Sequence, residues 1–274
     1  MGIIIGLDIG GSNTKIVGFS GEKIIDLQIA RATDPVASAF GALGKFIDAN
    51  NLKIDQIECL KVTGVGAEFP HGNLLGIPTY QIPEFSATGQ GGLYLSSLTH
   101  AIVISMGTGT AFIEANASSV RHIIGSGVGG GTILGLASKL LHVRDFETIT
   151  EMSDSGNVSH IDLTIADITA VEIPGLSMDT TASNFGKSAD NASKEDMAAG
   201  IINLVFQSIG TMAVLAARNA NLSDVVLTGY VTASPSCQDI FSSFSKLYKI
   251  NFHIPEYALY ATAIGAAISE AKPE

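Results

Sequence analysis

The sequence is poor in cysteine and in basic residues, and each shortage excludes a class of protein. Cys59 and Cys237 are the only cysteines, too few for a disulfide framework and without the spacing of a metal site. Lysine and arginine together number 15 against 26 acidic residues, and the net charge of -11 argues against a nucleic-acid surface. No uncharged apolar run reaches the length of a membrane-spanning helix. We therefore expect a cytoplasmic protein that binds neither nucleic acid nor a membrane.

Glycine, in contrast, is abundant, and its positions indicate the fold class. The 30 glycines cluster in short loops between apolar segments, which is typical of tight strand connections in an α/β protein. Three β-branched segments, at 2–8, 14–20 and 23–30, surround the first of these loops. The order of strand, glycine turn and strand recurs from residue 101 onward. This repeat predicts a duplicated α/β architecture with a cleft between its two halves.

The second half also contains a long helix and a polar segment. Residues 194–219 have a helical pattern, and the helix opens with a capping box at Ser193 and Asp196. Residues 151–192 are polar and poorly periodic, which predicts an insertion or a cap.

The first glycine turn, DIGGSNTK at 8–15, has the composition of a phosphate-binding hairpin. Its two glycines let the backbone approach an oxyanion, its three central polar residues offer hydrogen-bond donors, and Lys15 offers charge. Asp8, at the end of the predicted strand, can hold Mg²⁺ directly or through water. The spacing is not that of a P-loop. Taken alone, the segment is also explained by a tight turn with nothing bound.

Two later glycine segments favour the phosphate interpretation. MGTGTAF, at 106–112, occupies the equivalent place in the second repeat, and Thr108 and Thr110 can donate hydrogen bonds to terminal phosphate oxygens. GSGVGGGTILGL, at 125–136, has three consecutive glycines at the start of a helix, whose first N–H groups can face an anion. Close packing of helix on strand is the alternative for these glycines. Together the three segments predict a nucleotide site in the cleft.

Four segments in this order resemble type II pantothenate kinases, a family of the actin-like ATPase superfamily: GLDIGGSNTKIV, MGTGTAF, GVGGGTILGL and DFETITEMSDSGN. IPGLSMDTTASNFGK (173–187) and ATAIGAAIS (261–269) also resemble family segments, so the similarity covers nearly the whole chain. The resemblance implies a duplicated actin-like, ribonuclease H-like ATPase fold. We expect lobes at 1–98 and 99–274, with dimerisation and most of the nucleotide site in the second.

The resemblance also implies an activity and a set of binding residues. The family uses ATP and Mg²⁺ to phosphorylate pantothenate to 4'-phosphopantothenate, the first step of coenzyme A biosynthesis, and a homodimer is expected. Asp8 is the implied metal ligand. The implied nucleotide-binding residues are Asp8, Ile9, Gly10, Gly11, Ser12, Asn13, Thr14, Lys15, Thr108, Gly109, Gly130, Gly131, Thr132, Ile133, Leu134, Phe146, Gly229 and Tyr230.

The implied catalytic base is Glu84. The family's glutamate lies in a VEFDAASQG-like segment, and this chain has PEFSATGQG at the corresponding place. The alternative is a structural role, because a glutamate in the first turn of a helix interacts favourably with the helix dipole. The family match favours the catalytic role.

The catalytic cation is the clearest departure from the family. The family's arginine precedes its glycine loop in a RRVGGIGTGGG-like segment, whereas this chain reads VRHIIGSGVGGG. Counted back from the glycines, His122 falls on the arginine position and Arg121 lies one residue earlier, which on a strand is the opposite face. A bulge could restore Arg121, His122 could do part of the work, or the substrate contact has changed. We expect Arg121 to supply the cation.

The sequence also leaves alternatives at two places in the predicted nucleotide site. Phe146 matches the family's aromatic residue after the glycine-rich helix, and it either contacts adenine or belongs to the core. Gly229 matches the glycine of the family's IGSS segment, but Tyr230 and Val231 stand where that segment has two serines.

Two other functions are compatible with these motifs. One is an actin-like kinase for another small hydroxylated substrate, such as an N-acetyl amino sugar, although the cysteine-rich zinc motif of bacterial glucokinases is absent. The other is an ATP-binding switch without transfer activity, which the altered residues at 122 and 230 would suit. The lack of clustered cysteines excludes an iron–sulfur dehydratase activator.

Overall fold

The structure is a computed structural model that describes residues 2–31, 34–67, 72–171 and 173–270. It contains two five-stranded mixed sheets with the same strand order, so the predicted duplication is confirmed. In each sheet the third strand of the half lies at one edge and is followed by the second strand, the first strand and two later strands of that half. In each sheet the first three strands of the half are antiparallel and the later two run parallel to the first.

The elements of the first half are β1 (Ile3–Ile9), β2 (Asn13–Ser20), β3 (Lys23–Arg31), α1 (Pro35–Ala49), β4 (Ile57–Thr63), β5 (Thr79–Gln81) and α2 (Glu84–Ser96). Helix α1 begins with Pro35 at its first position, and the Asp34 carboxylate caps it by accepting a hydrogen bond from the Ala37 N–H.

The elements of the second half are β6 (His100–Met106), β7 (Thr110–Asn116), β8 (Val120–Ser126), α3 (Gly130–Leu140), α4 (Phe146–Ser155), β9 (Leu163–Thr164), α5 (Ile165–Ile168), β10 (Thr181–Ser183), α6 (Lys194–Asn219), β11 (Asp224–Thr228), α7 (Ser236–Tyr248), β12 (Asn251–His253) and α8 (Ala261–Ile268). Helix α6 opens with the predicted capping box, in which Ser193 and Asp196 each bond the other's backbone N–H.

Helix α6 forms the centre of the largest hydrophobic core. It is long and apolar enough to cross a membrane by length and composition, yet 67% of its most apolar window is buried in protein. Its side chains pack with those of α3, α4, α7 and one face of the second sheet, for example Phe206 against Phe241. We therefore describe α6 as a core helix.

The polar segment between α4 and α6 folds against α6 through a buried carboxylate. Asp162 has no solvent exposure, and it accepts hydrogen bonds from the Asn203 and Asn184 side-chain amides at 2.7 and 3.0 Å and from the Phe185 N–H at 2.8 Å. Because a buried charge is tolerated only when its hydrogen bonds are satisfied, Asp162 fixes this segment in one place.

The last helix of each half packs on the sheet of the other half. Helix α2 packs on the second sheet, where Leu93 lies among Val103 and Ala115. Helix α8 packs on the first sheet, where Ala263 and Ile264 lie against strand β2. The helices also cross each other, so the two halves are interlocked beside the cleft. The division into lobes at 98 and 99 stays a prediction.

Candidate active site

A cavity of about 730 Å³ lies between the two sheets, where the glycine turns of both halves meet. Most of the predicted nucleotide-binding residues line it: Asp8, Gly10, Gly11, Ser12, Asn13, Lys15, Thr108, Gly109, Gly130, Gly131, Leu134, Phe146, Gly229 and Tyr230. Glu84 lines it as well. The structure therefore brings the three glycine segments and the predicted base to one place.

Four of the predicted nucleotide-binding residues do not line the cavity. Ile9, Thr14 and Ile133 are fully buried in the protein interior, on the faces of their elements that point away from the cavity. The Thr132 hydroxyl donates to the Gly127 carbonyl and accepts from the Gly129 N–H, so it stabilises the loop that precedes α3. A motif quoted as a continuous run includes side chains on both faces of its element, and the nucleotide-binding role of these four positions stays a prediction.

The first glycine turn joins β1 to β2, and it holds an ion pair. Asp8 and Lys15 lie opposite each other in the antiparallel register, with 3.0 Å between the Lys15 Nζ and the Asp8 Oδ2. Gly64, at φ 92°, adjoins this pair, and a Cβ atom there would lie 2.6 Å from the Asp8 Oδ1. Thr63 is in register with Asp8 on β4, and its buried hydroxyl has no hydrogen-bond partner among the described residues.

The glycines at the start of α3 pack against the second turn. The Gly130 N–H donates to the Gly107 carbonyl and the Gly131 N–H donates to the Thr108 carbonyl, both at 2.8 Å. These N–H groups are therefore used within the protein and do not face the cavity as donors, contrary to the expectation for a helix N-terminus. A Cβ atom at Gly129 would lie 2.8 Å from the Thr108 carbonyl oxygen. The segment is therefore closely packed, and because Gly130 and Gly131 also line the cavity, their nucleotide-binding role stays a prediction.

Glu84 begins helix α2, and its side chain opens onto the cavity. Glu84 is an exposed residue, so water reaches its side chain, although the cavity wall removes part of the water around the carboxylate. This partial desolvation raises the pKa of the Glu84 carboxyl, the nearby negative charge of Asp8 raises it further, and Lys15 partly offsets both effects. A carboxylate with a raised pKa is a stronger base, which suits proton abstraction from a hydroxyl group.

Arg121 and His122 lie on opposite faces of β8, and a β-bulge decides which face each takes. Ile124 pairs with Phe112 and His122 pairs with Ile113, so Ile123 is the extra residue. The His122 ring stacks on Phe85 of α2, whereas Arg121 is on the other face, where it forms an ion pair with Glu114. Neither residue lines the cavity. Their catalytic roles stay predictions.

Phe146 and Tyr230 are the aromatic residues of the cavity wall. Phe146 is only 7% exposed and belongs to the large core, yet it also lines the cavity, so the two alternatives for this residue are compatible. Its ring contacts the Tyr230 ring, with 5.2 Å between centroids. Burial and a hydrogen bond donated to Glu147 raise the pKa of Tyr230 to about 12, so this phenol stays neutral at physiological pH.

Ten cavity residues are absent from the predicted set. Six of them lie in the second and third glycine segments or next to Tyr230: Gly107, Thr110, Ala111, Gly125, Ser126 and Val231. The other four are Val65, Ser105, Leu259 and Thr262. One of them carried a signal in the sequence. Ser105 is the penultimate residue of β6, as Asp8 is of β1, so alignment of the two repeats would have found it. Thr262 belongs to a helix that packs on the first sheet, and no local pattern indicated that it reaches the cavity.

The residues present suit a magnesium ion only together with a nucleotide. Within the ranges that the structure describes, no group of three or more His, Cys, Asp or Glu side chains could hold a metal. Mg²⁺ is commonly bound through one or two carboxylates, with water and substrate phosphates as its other ligands. Asp8 fits that requirement as a single carboxylate at the cavity wall.

Two sheets of equal strand order, with glycine turns that face a shared cleft, define an actin-like ATPase fold, as predicted. Component A of (R)-2-hydroxyglutaryl-CoA dehydratase from Acidaminococcus fermentans has this fold, with a TM-score of 0.70 at 18% identity over 97% of this chain and 96% of that one. ROK hexokinase from Thermus thermophilus is also similar, with a TM-score of 0.56 at 12% identity and 97% of each chain covered. At these identities the likeness concerns the fold alone.

Sequence comparison identifies the family. The Fumble family matches residues 79–269. A type II pantothenate kinase from Staphylococcus aureus is 30% identical over 82% of this chain and 83% of its own length. Another from Bacillus cereus is 28% identical over 88% of this chain and 89% of its own. The chain therefore belongs to the Fumble family, with the type II pantothenate kinases.

Proposed function

We propose that this protein transfers the γ-phosphoryl group of ATP to pantothenate, forming 4'-phosphopantothenate in the first step of coenzyme A biosynthesis. Its family membership gives the reaction. The observation that carries the proposal is the position of Glu84, which shares one cavity with the Asp8–Lys15 pair and both glycine turns.

Glu84 acts as the general base. The acceptor hydroxyl lies beside its carboxylate, which takes the proton as the hydroxyl oxygen forms a bond to the γ-phosphorus. The bond between that phosphorus and the β–γ bridging oxygen breaks, and ADP leaves with the electron pair. In such reactions the protein mainly positions the two reactants and stabilises charge, and a base of this kind contributes about 10²- to 10⁴-fold to the rate.

Lys15 supplies the positive charge that faces the phosphates. Among the described residues that line the cavity, it is the single lysine or arginine, with its ammonium held in place by Asp8. Asp8 would hold a magnesium ion, which would neutralise part of the phosphate charge.

A coupled assay of ADP release tests the proposal. We expect ADP formation that depends on ATP, Mg²⁺ and pantothenate, with 4'-phosphopantothenate identified by mass spectrometry. ADP formed with N-acetylglucosamine but not with pantothenate would replace this function with that of a sugar kinase. Tight ATP binding without turnover of either acceptor would instead support the switch. We also propose a cytoplasmic homodimer, as the family resemblance implies, and light scattering of the purified protein tests the dimer.

A further inference from the structure

We propose that the hydrogen bond between the Thr88 and Thr262 hydroxyls positions Glu84 relative to the phosphate-binding hairpin, so that Thr88 and Thr262 are positioning residues for the transfer step. This inference rests on the proposed function, because it assumes that Glu84 is the base. It goes further by naming how the two halves of the site are kept in register with each other.

The two hydroxyl oxygens lie 3.0 Å apart, and both threonines are buried, with 1% of Thr88 and 9% of Thr262 exposed. Thr88 follows Glu84 by four residues on α2, so both side chains lie on the same face of that helix. Thr262 is the second residue of α8 and lines the cavity. The bond therefore joins the helix that carries the base to the wall of the site.

Helices α2 and α8 are in backbone contact on both sides of this bond. A Cβ atom at Gly91 would lie 1.8 Å from the Ala261 carbonyl oxygen, and a Cβ atom at Gly265 would lie 1.7 Å from the Ala87 carbonyl oxygen. Small residues permit this approach but give few side-chain contacts that would fix the register. The threonine pair is a directional contact at the crossing, and a buried hydroxyl without a partner is costly.

Helix α8 is in turn fixed to the sheet that carries the phosphate-binding hairpin. The Lys61 ammonium on β4 donates to the Ala267 and Ser269 carbonyls at the end of α8, at 2.8 and 2.5 Å. A Cβ atom at Gly6 on β1 would lie 2.1 Å from the Ala263 carbonyl oxygen. The first sheet thus fixes the position of α8. The hydrogen bond between Thr88 and Thr262 then fixes α2, and with it Glu84, relative to α8.

Loss of the bond should affect the chemical step more than substrate binding. A displacement of about 1 Å at a catalytic group can cost about 100-fold in rate. Thr88 does not line the cavity, so its replacement alters no direct contact with a ligand there. For Thr88→Val we expect kcat to fall about tenfold, with KM for ATP changed less than twofold.

The experiment compares Thr88→Val, Thr262→Val, the double valine variant, and Thr88→Ser and Thr262→Ser. Each is assayed for kcat, for both KM values, for the pH at which kcat/KM for pantothenate falls in acid, and for Tm. We expect similar losses in kcat in both single valine variants, a double variant no worse than either, and serine variants within about twofold of the parent, because serine keeps the hydroxyl. Thr88→Ala gives the same readouts if the valine variant does not fold.

Thr211→Val is the matched control, since Thr211 is exposed on α6 and its hydroxyl bonds only the Gln207 carbonyl of its own helix. The inference would be overturned if the Thr88→Val enzyme kept the parental kcat and lost kcat/KM for pantothenate at the parental acid pH, whatever its Tm. Additive losses in the double variant would also overturn it, because Thr262 would then act independently. Failure of the parent enzyme to phosphorylate pantothenate would instead contradict the proposed function, so the two failures are distinguishable.

Discussion

The His122 ring lies flat on the Phe85 ring, with 4.2 Å between centroids and 7° between planes. Phe85 directly follows Glu84, so this contact places an imidazole on the same side of the sheet as the proposed base. Arg121 is on the opposite face, in an ion pair with Glu114. In this structure, with Ile123 as the bulged residue, His122 and not Arg121 is therefore the residue of the pair that contacts α2.

This geometry predicts different results for the two neighbouring substitutions. His122→Ala removes the imidazole and a stacked pair worth about 1 kcal/mol, and we expect kcat/KM for pantothenate to fall about tenfold. Arg121→Ala removes an exposed ion pair, and we expect less than a twofold change in kcat/KM. Steady-state kinetics on both variants checks this. The reverse order of losses would show that Arg121 reaches the acceptor during turnover.

The sequence predicted the two sheets and the cavity because both depend on local patterns. Alternating apolar segments and glycine turns specify strands and their connections without reference to distant residues. The pattern left a bulge in this strand open as one alternative but could not decide it, because an apolar residue at position 123 suits either register. Likewise Gly130 and Gly131 look the same in sequence whether their N–H groups face a ligand or the carbonyls of the second turn. These features depend on contacts between elements that are distant along the chain.

Glu84→Gln should abolish transfer while nucleotide binding is kept. Removal of a general base typically costs about 10²- to 10⁴-fold, so we expect kcat to fall at least about 100-fold. The folded protein favours the protonated form of Glu84, so a neutral amide should leave Tm unchanged or higher at neutral pH. Turnover and binding of a fluorescent ATP analogue are measured together. Glu151→Gln, on the exposed surface of α4, is the control, and full activity in Glu84→Gln would refute the mechanism.

Lys15→Met should weaken both ATP use and folding. It removes the positive charge from the cavity wall and leaves the buried Asp8 carboxylate without its ion-pair partner. We expect kcat/KM for ATP to fall about 100-fold, comparable to the loss of one charge-stabilising donor in other enzymes. Lys15→Arg keeps the charge and should retain more activity. Equal losses in the two variants would mean that shape, and not charge, is the property required at this position.

Asp162→Ala should destabilise the protein without a direct effect on the site. The fully buried carboxylate accepts hydrogen bonds from Asn203, Asn184 and the Phe185 N–H, and its removal leaves these donors unpaired. We expect a loss of about 2–4 kcal/mol in the free energy of unfolding, measured by urea denaturation. Asp154→Ala, at an exposed position on α4, should change it by less than about 0.5 kcal/mol. A small loss at Asp162 would mean that the segment is held mainly by its apolar contacts.

The dependence of activity on pH should report the environment of Glu84. Its carboxyl must be ionised to act as a base, so kcat/KM is lost as the pH falls through its pKa. Because desolvation and the charge of Asp8 raise this pKa, we expect the acid limb of the pH profile above the ordinary glutamate range. Lys15 lowers the same pKa, so Lys15→Met should move the limb to higher pH. His122 is also ionisable and contacts the next residue of α2, so profiles are recorded with and without His122→Ala. A limb that moves only with His122→Ala would assign it to the imidazole and not to Glu84.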